Sequence, residues 1–146
     1  KAYLDMVYVE TLRESEGGTY GASVAEGFYR EPKETALIQV AFETNPESAE
    51  KLAKLAIEGV KKAIAEGIPA DKMDMIIKNM KKNIPQERIS NSYWMNTLQK
   101  NVEFGENYDE DYEKAVNALT SDAVAKLLKV LVEKNNFIQI TLGPAK

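Results

Sequence analysis

The spacing of apolar residues changes from a helical period to a strand period at Gly17-Gly18, and this change limits the folds open to the chain. Before the glycine pair, apolar residues recur as on one face of an amphipathic helix, at Leu4, Val7, Tyr8 and Leu12. After it, residues Thr19 to Ala25 and Thr35 to Thr44 follow a period of two. The sequence therefore predicts a helix, a reversal at the glycines, and two strands that form a hairpin.

Helical spacing resumes after the second predicted strand. Asn45 is the expected N-cap of a helix whose apolar stripe runs from Leu52 to Ile64 and ends at Gly67. Further helical segments are predicted with apolar faces at Met73 to Ile84 before Pro85, at Trp94, Leu98 and Val102, and at Val124 to Val132 behind a Thr120/Ser121 cap. Alternation from Phe137 to Leu142 predicts a closing strand.

This order of elements predicts an α+β fold in which an antiparallel sheet is backed by helices on one face. Strands and helices do not alternate singly, which argues against a doubly wound parallel sheet. We expect residues 1–146 to form a single domain. Three strands make a thin sheet, and the chain starts in a helical pattern at Lys1 without an initiator Met. We therefore expect a truncated domain whose N-terminal strand lies upstream of Lys1, or a partner that covers the exposed edge.

The composition excludes several classes of function. Nineteen Lys and Arg against 23 Asp and Glu give a net charge of −4, so the chain has no excess of cations for a nucleic acid backbone. No apolar stretch is long enough for membrane insertion. The sequence contains neither His nor Cys, so imidazole and thiolate zinc sites and histidine-based triads are excluded. We therefore expect no metal site and no cofactor in this segment.

The segment from Leu12 to Gly21, LRESEGGTYG, is the best candidate for chemistry. Arg13 is expected on the last turn of the first helix and Tyr20 at the start of the first strand, so the two side chains could converge at one sheet edge. A guanidinium can hold peptide carbonyls, and a phenol can donate to an oxyanion. A purely structural interpretation stays open, because Arg13 also suits a helix C-terminus and could pair with Glu10 or Glu16.

This segment resembles the Arg/Tyr signature in the second half of pitrilysin/insulinase-type (M16) zinc metallopeptidases, in which a tyrosine follows a leucine-arginine pair by seven residues. Arg13 and Tyr20 match that signature. The resemblance extends more loosely to IQVAFETNPESAEKL, to NSYW at Asn91 to Trp94, and to TSDAVAKLL before the closing strand. It identifies the chain as similar to the C-terminal domain of such a peptidase, with the LuxS/MPP-like fold that the family shares.

The resemblance implies a two-half zinc metalloendopeptidase that hydrolyses peptides in an enclosed chamber. Zinc would be held by an inverted HxxEH motif and a distal glutamate in the other half, in the same or a partner chain. Arg13 would bind substrate, and Tyr20 would bind substrate and act in catalysis. The fragment alone is expected to be inactive, and a bacterial periplasmic or envelope location is expected.

Two other classes of function stay open. Some relatives of these peptidases are non-catalytic scaffold or partner subunits, and a degenerate zinc motif in the parent would indicate that class. An unrelated peptide-binding or dimerisation module would use an open sheet edge and would not need Arg13 or Tyr20. The acidic run at Asp109-Glu110-Asp111 lacks EF-hand spacing, so it predicts a solvated surface and no calcium site.

Overall fold

A computed structural model describes residues 1–15, 17–133 and 137–143 of the chain. It divides into two compact units, the first comprising Lys1–Ile68 and Val124–Lys146 and the second comprising Pro69–Ala123. Each unit is described below by itself. That residues 1–146 form one domain stays a prediction.

The first unit begins with a helix that changes type along its length. Helix α1 spans Ala2–Tyr8 and continues without a break as a π-helix over Val9–Ser15. The chain then reverses and forms β1, Ala22–Tyr29, and β2, Thr35–Phe42. The two strands pair antiparallel, with Ala22 opposite Phe42 and Tyr29 opposite Thr35. The predicted helix, reversal and hairpin are therefore confirmed, although β1 begins later than the expected Thr19.

Helix α2, Ala49–Glu66, contributes Leu52, Ala56 and Ala63 to the first unit's core. Its apolar face meets α1, the π-helix and one face of the sheet; the buried members of this cluster are Leu4, Tyr8, Leu12, Val24, Leu52, Ala56, Ala63 and Leu128. Residues of β2 at every second position, including Ile38, Val40 and Phe42, pack against this cluster. Burial of alternate strand positions is what one covered sheet face requires. The predicted fold class, an antiparallel sheet with helices on one face, is confirmed.

The second unit is helical. Helices α3, Ala70–Glu87, α4, Asn91–Phe104, and α5, Tyr108–Ala118, follow one another in it. Met73, Ile76, Ile84 and Val116 are its buried apolar residues among those described. The last helix, α6, spans Ser121–Glu133, and its residues from Val124 onward belong to the first unit. It has the predicted cap, since Thr120 Oγ1 accepts a 3.1 Å hydrogen bond from the Ala123 amide.

A cluster of polar contacts centred on Asp109 joins α4 and α5 to the end of α3. The Asp109 carboxylate accepts a 2.7 Å hydrogen bond from Arg88 Nε and a 2.5 Å hydrogen bond from the Tyr93 hydroxyl. Trp94 Nε1 donates to the Arg88 carbonyl oxygen at 2.8 Å. Asp109 is therefore a structural partner of Arg88 and Tyr93, whereas the sequence predicted solvated surface at this position.

Other local predictions were wrong. Helix α2 begins after Ser48, because residues 46–48 form a turn in which the Ser48 amide donates to the Asn45 carbonyl. Pro85 was expected to stop or kink its helix, and α3 does not stop there but continues to Glu87. On α4 the residues expected inward are exposed, at 40% for Trp94, 59% for Leu98 and 85% for Val102.

The predicted closing strand is also absent from the described structure. Residues 137–143 form no helix or strand, and Phe137, Ile138, Ile140 and Leu142 are 55–93% exposed. A strand needs a neighbour for its amide and carbonyl groups, and alternation in sequence does not supply one. None of the described helices is both long and apolar enough to span a bilayer.

Candidate functional site

The π-helix presents Arg13 to solvent. Leu12, the residue before it, is fully buried, and Tyr8 at the end of α1 is fully buried as well. These two anchors fix the inner side of the helical segment, so Arg13 points away from the core and is exposed. Thr11 Oγ1 also donates a 2.7 Å hydrogen bond to the Val7 carbonyl oxygen across the junction of the two helix types. The base of Arg13 is therefore held by packing and its guanidinium is accessible.

Gly17 and Gly18 reverse the chain, and each glycine serves a different purpose. The Gly17 amide donates to the Arg13 carbonyl at 3.1 Å, and Gly17 has a φ of +59°, in the left-handed region that favours glycine. Gly18 instead lies against a buried side chain, since a Cβ at this position would stand 2.9 Å from Leu52 Cδ1. Thr44 Oγ1 also donates to the Gly18 carbonyl oxygen at 2.5 Å. The reversal is thus held against α2 by packing on Leu52, and against the residues that follow β2 by the hydrogen bond from Thr44.

Thr19 fixes the backbone around Tyr20. Its side chain is 8% exposed, and its hydroxyl donates to the Gly21 carbonyl at 2.9 Å and accepts from the Gly21 amide at 3.2 Å. This local turn holds the residues on both sides of Tyr20, while the Tyr20 side chain itself is 101% exposed. Tyr20 lies in a bend two residues before β1 and does not open the strand as predicted.

The structure places the two predicted site residues on either side of one anchored reversal. Both side chains face solvent, and neither makes a hydrogen bond or ion pair with another side chain that the structure describes. Glu16, one of the alternative partners considered for Arg13, lies outside the described residues. Direct convergence of the guanidinium and the phenol stays a prediction. A ligand at this surface could therefore accept hydrogen bonds from the Arg13 guanidinium, which is cationic, and from the Tyr20 hydroxyl, which is neutral.

The residues of this chain do not fit a zinc site. The sequence has no His and no Cys, and no group of three or more Asp or Glu among the described residues is arranged to hold a metal.

Sequence reasoning missed the residues that hold the reversal in place. Thr19, Thr44 and Leu52 are separated by up to 33 positions, and only the fold brings them to one place. Thr19 alone left a local signal, because a threonine two residues before a glycine is typical of a side-chain turn. The other two contacts depend on tertiary packing.

Two solved structures contain a segment with this fold. The periplasmic protease PqqL from Escherichia coli aligns with a TM-score of 0.69 at 21% identity, covering 86% of this chain and 14% of PqqL. A protease from Helicobacter pylori aligns with a TM-score of 0.67 at 15% identity, covering 88% of this chain and 34% of that protein. This chain shares the fold of a segment in each of these two proteases.

The likeness to PqqL and to the H. pylori protease concerns the fold, because both identities are low. The resemblance to M16 peptidases predicted from LRESEGGTYG is confirmed at that level. This chain spans 14% of PqqL and 34% of the H. pylori protease, so each of them is more than twice as long as this chain. No protein-family model matches the sequence, and no curated protein matches it.

Proposed function

We propose that this chain is the substrate-binding domain of a zinc-dependent metalloendopeptidase that hydrolyses peptides in an enclosed chamber. The observation that carries the proposal is the anchored reversal at Gly17–Thr19, which presents Arg13 and Tyr20 to solvent on a fold shared with proteases. A rigid turn with accessible donors on both sides is suited to holding an extended peptide.

Each residue has a distinct proposed role. The Arg13 guanidinium would bind carbonyl oxygens of the peptide backbone, since its planar fork offers several donors without losing its charge. The Tyr20 hydroxyl would donate to the oxyanion that develops on the scissile carbonyl when water attacks. Neither group could activate the attacking water alone. The base and the zinc ligands are therefore proposed to lie in another part of the parent chain or in a partner chain.

The same proposal extends to the location of the protein. PqqL is a periplasmic protease, and we propose a bacterial periplasmic or envelope location for this chain's parent as well. Cell fractionation of the native host, with the parent detected by an antibody, tests this. Recovery of the parent with cytoplasmic markers would overturn the location without affecting the roles of Arg13 and Tyr20.

Substitution of Arg13 in the zinc-bearing parent tests the substrate-binding role. Arg13→Ala should raise KM by roughly tenfold or more for a quenched fluorescent peptide, because charge-assisted hydrogen bonds to the substrate are lost. Arg13→Lys should recover part of this loss, because lysine restores the positive charge but lacks the planar guanidinium with its paired donors. Lys61→Ala on α2 removes another exposed cation and is the matched control. A folded Arg13→Ala parent with unchanged kcat and KM would contradict the proposal.

A dimerisation or peptide-binding module is the second candidate, and one observation favours it. The described sheet has two strands, so each strand has an outer edge without a strand neighbour among the described residues. Phe28 at 63% and Tyr29 at 56% exposure lie near the hairpin end of that sheet. Such a module would bind its partner equally well after Arg13→Ala and Tyr20→Phe. Sedimentation of the double variant beside wild type separates the two functions.

A further inference from the structure

A small cavity in the second unit lies outside the proposed peptidase site. It has a volume of about 220 Å³ and lies between α4 and α5; its walls are formed by Tyr93, Asn96, Thr97, Lys100, Tyr108 and Tyr112. Three aromatic rings with an amide, a hydroxyl and an ammonium form an unusual lining for a surface of an acidic chain. The lining thus combines aromatic ring surface with a few polar groups.

Two of the three tyrosines are held by hydrogen bonds to the protein. The Tyr93 hydroxyl donates to Asp109 Oδ1 at 2.5 Å, and the Tyr112 hydroxyl donates to the Met80 carbonyl oxygen at 3.3 Å. Asp109 is in turn fixed by Arg88 at 2.7 Å. The donor protons of both phenols are therefore already used, and these two residues offer the cavity mainly ring surface in a fixed position.

The remaining polar groups make the cavity rich in donors. The Lys100 ammonium lies 4.4 Å from the centroid of the Tyr108 ring, and no carboxylate in the described part of the chain forms an ion pair with it. Thr97 is 9% exposed, and its hydroxyl and the Asn96 amide make no hydrogen bond with other described groups. Lys100 already occupies the aromatic surface that would attract a ligand cation, so a second cation would be repelled.

The cavity's size and charge together define a ligand class. Sites for drug-sized ligands typically have volumes of roughly 300 Å³ or more. The volume of this cavity, about 220 Å³, is smaller. It therefore suits one aromatic side chain with an adjacent carboxylate. We propose that this cavity binds a carboxylate carried beside a flat apolar group, with Lys100 and Thr97 contacting the carboxylate and the tyrosine rings contacting the apolar group. A peptide C-terminus and an acidic side chain next to an aromatic residue both have this chemistry.

Binding to the isolated 146-residue chain tests this inference without any cleavage assay. N-acetyl-phenylalanine, its C-terminal amide, and N-acetyl-phenylalanyl-glutamic acid amide are titrated while backbone amide signals are followed by NMR. The free acid should bind about tenfold more tightly than the amide and shift the signals of Asn96, Thr97 and Lys100. Comparable binding of the glutamyl peptide would identify a side-chain carboxylate as an equivalent source, and weaker binding would identify the C-terminus as the source.

Two variants assign the effect to the cavity. Lys100→Gln should abolish the tenfold preference for acid over amide, while Lys82→Gln, which removes an exposed lysine on α3, should retain it. Thr97→Val should weaken binding of the acid with little change for the amide. Equal binding of acid and amide by wild type, or no saturable binding of the acid, would overturn the inference. Either result would leave the proposal for Arg13 and Tyr20 unaffected, because this assay measures binding in a different unit and no turnover.

Discussion

The Tyr8 hydroxyl donates a hydrogen bond of 2.9 Å to the backbone carbonyl oxygen of Ala56, joining the last residue of α1 to the middle of α2. Tyr8 is fully buried, and Arg13 follows it by five residues on the continuing π-helix. The position of Arg13 relative to the reversal on Leu52 therefore depends on how α1 is seated on α2. Stability at this contact and the function proposed for Arg13 are therefore linked through one helical segment.

Ionisation of Tyr8 should make the first unit sensitive to alkali. Burial raises the pKa of Tyr8 from its ordinary value of 10.0 to about 12. The folded state thus favours the neutral phenol, so the stabilisation is complete below about pH 10 and is lost as pH rises to about 12. Urea unfolding should show a fall in the free energy of unfolding between about pH 10 and pH 12.

Tyr8→Phe provides the control for that titration. It should lower the free energy of unfolding at neutral pH by about 1 kcal/mol through the lost hydrogen bond, and reduce the alkaline fall. Tyr29→Phe, at a half-exposed ring, should leave both quantities unchanged. An alkaline fall as steep in Tyr8→Phe as in wild type would show that another group is responsible.

Gly59 on α2 should resist replacement by alanine although it lies inside a helix. A Cβ at this position would stand 3.0 Å from Tyr8 Cε1, and the buried Tyr8 ring has little room to move. The crowding cost of about 1–3 kcal/mol should exceed the gain in helix propensity of about 1 kcal/mol. We expect Gly59→Ala to lower the free energy of unfolding, measured in urea at neutral pH. A more stable variant would mean that α1 can shift away from α2.

The reversal between Arg13 and Tyr20 should depend on the backbone of Gly17. Gly17 has a φ of +59°, and no described atom beyond its two chain neighbours lies within 4 Å of the point that a Cβ would occupy, so Gly17→Ala introduces backbone strain without a tertiary clash. We expect a loss of about 1–2 kcal/mol in the free energy of unfolding. Gly21→Ala is the matched control, since Gly21 also has open space but no positive φ, and it should be neutral or slightly stabilising. Equal effects of the two substitutions would contradict the role of Gly17.

Acid should weaken the second unit through Asp109. Hydrogen bonds from the Tyr93 hydroxyl and from Arg88 lower the pKa of Asp109 below its ordinary value of 3.8. The folded state favours the charged form of this carboxylate. The resulting stabilisation is therefore present above pH 3.8 and is lost as pH falls through the lower pKa that Asp109 has in the folded state. Fluorescence of Trp94, the single tryptophan, reports on this cluster because its ring lies 5.3 Å from that of Tyr93.

Asp109→Asn should remove this acid transition and destabilise the second unit at neutral pH. Asp111→Asn changes the same charge in the same first turn of α5 and is the control for the helix dipole. Asp111→Asn should retain the transition seen by Trp94. An unchanged acid transition in Asp109→Asn would show that the cluster does not govern it.

Local sequence signals predicted most elements of the fold. Gly67 ends α2 with a φ of +73°, a conformation that glycine adopts readily. Thr120 caps α6, because its hydroxyl can accept a hydrogen bond from an amide of the first turn. The strand prediction at 137–142 failed because pairing is a tertiary property that alternation does not encode. Helix α4 forms around Trp94, Leu98 and Val102 as predicted, but this apolar stripe predicted burial that the described structure does not show.

The candidate site was partly predictable. Arg13, the glycine pair and Tyr20 are close together in sequence, so a local pattern and a family resemblance could locate them. Their anchors could not be found in this way, because Thr44 and Leu52 reach Gly18 only through the folded hairpin and α2. The π-helical form of the segment that carries Arg13 likewise depends on how Tyr8 and Leu12 pack.

The turnover number of the zinc-bearing parent carrying Tyr20→Phe is the most direct test of the central claim. Cleavage of a quenched fluorescent peptide is compared with wild type and with Tyr29→Phe, which removes a hydroxyl from another exposed tyrosine of the same unit. Loss of an oxyanion donor should lower kcat on the order of 10²-fold in Tyr20→Phe and leave Tyr29→Phe unaffected. A folded Tyr20→Phe parent that cleaves peptide at the wild-type rate would contradict the assignment of this segment to the active site.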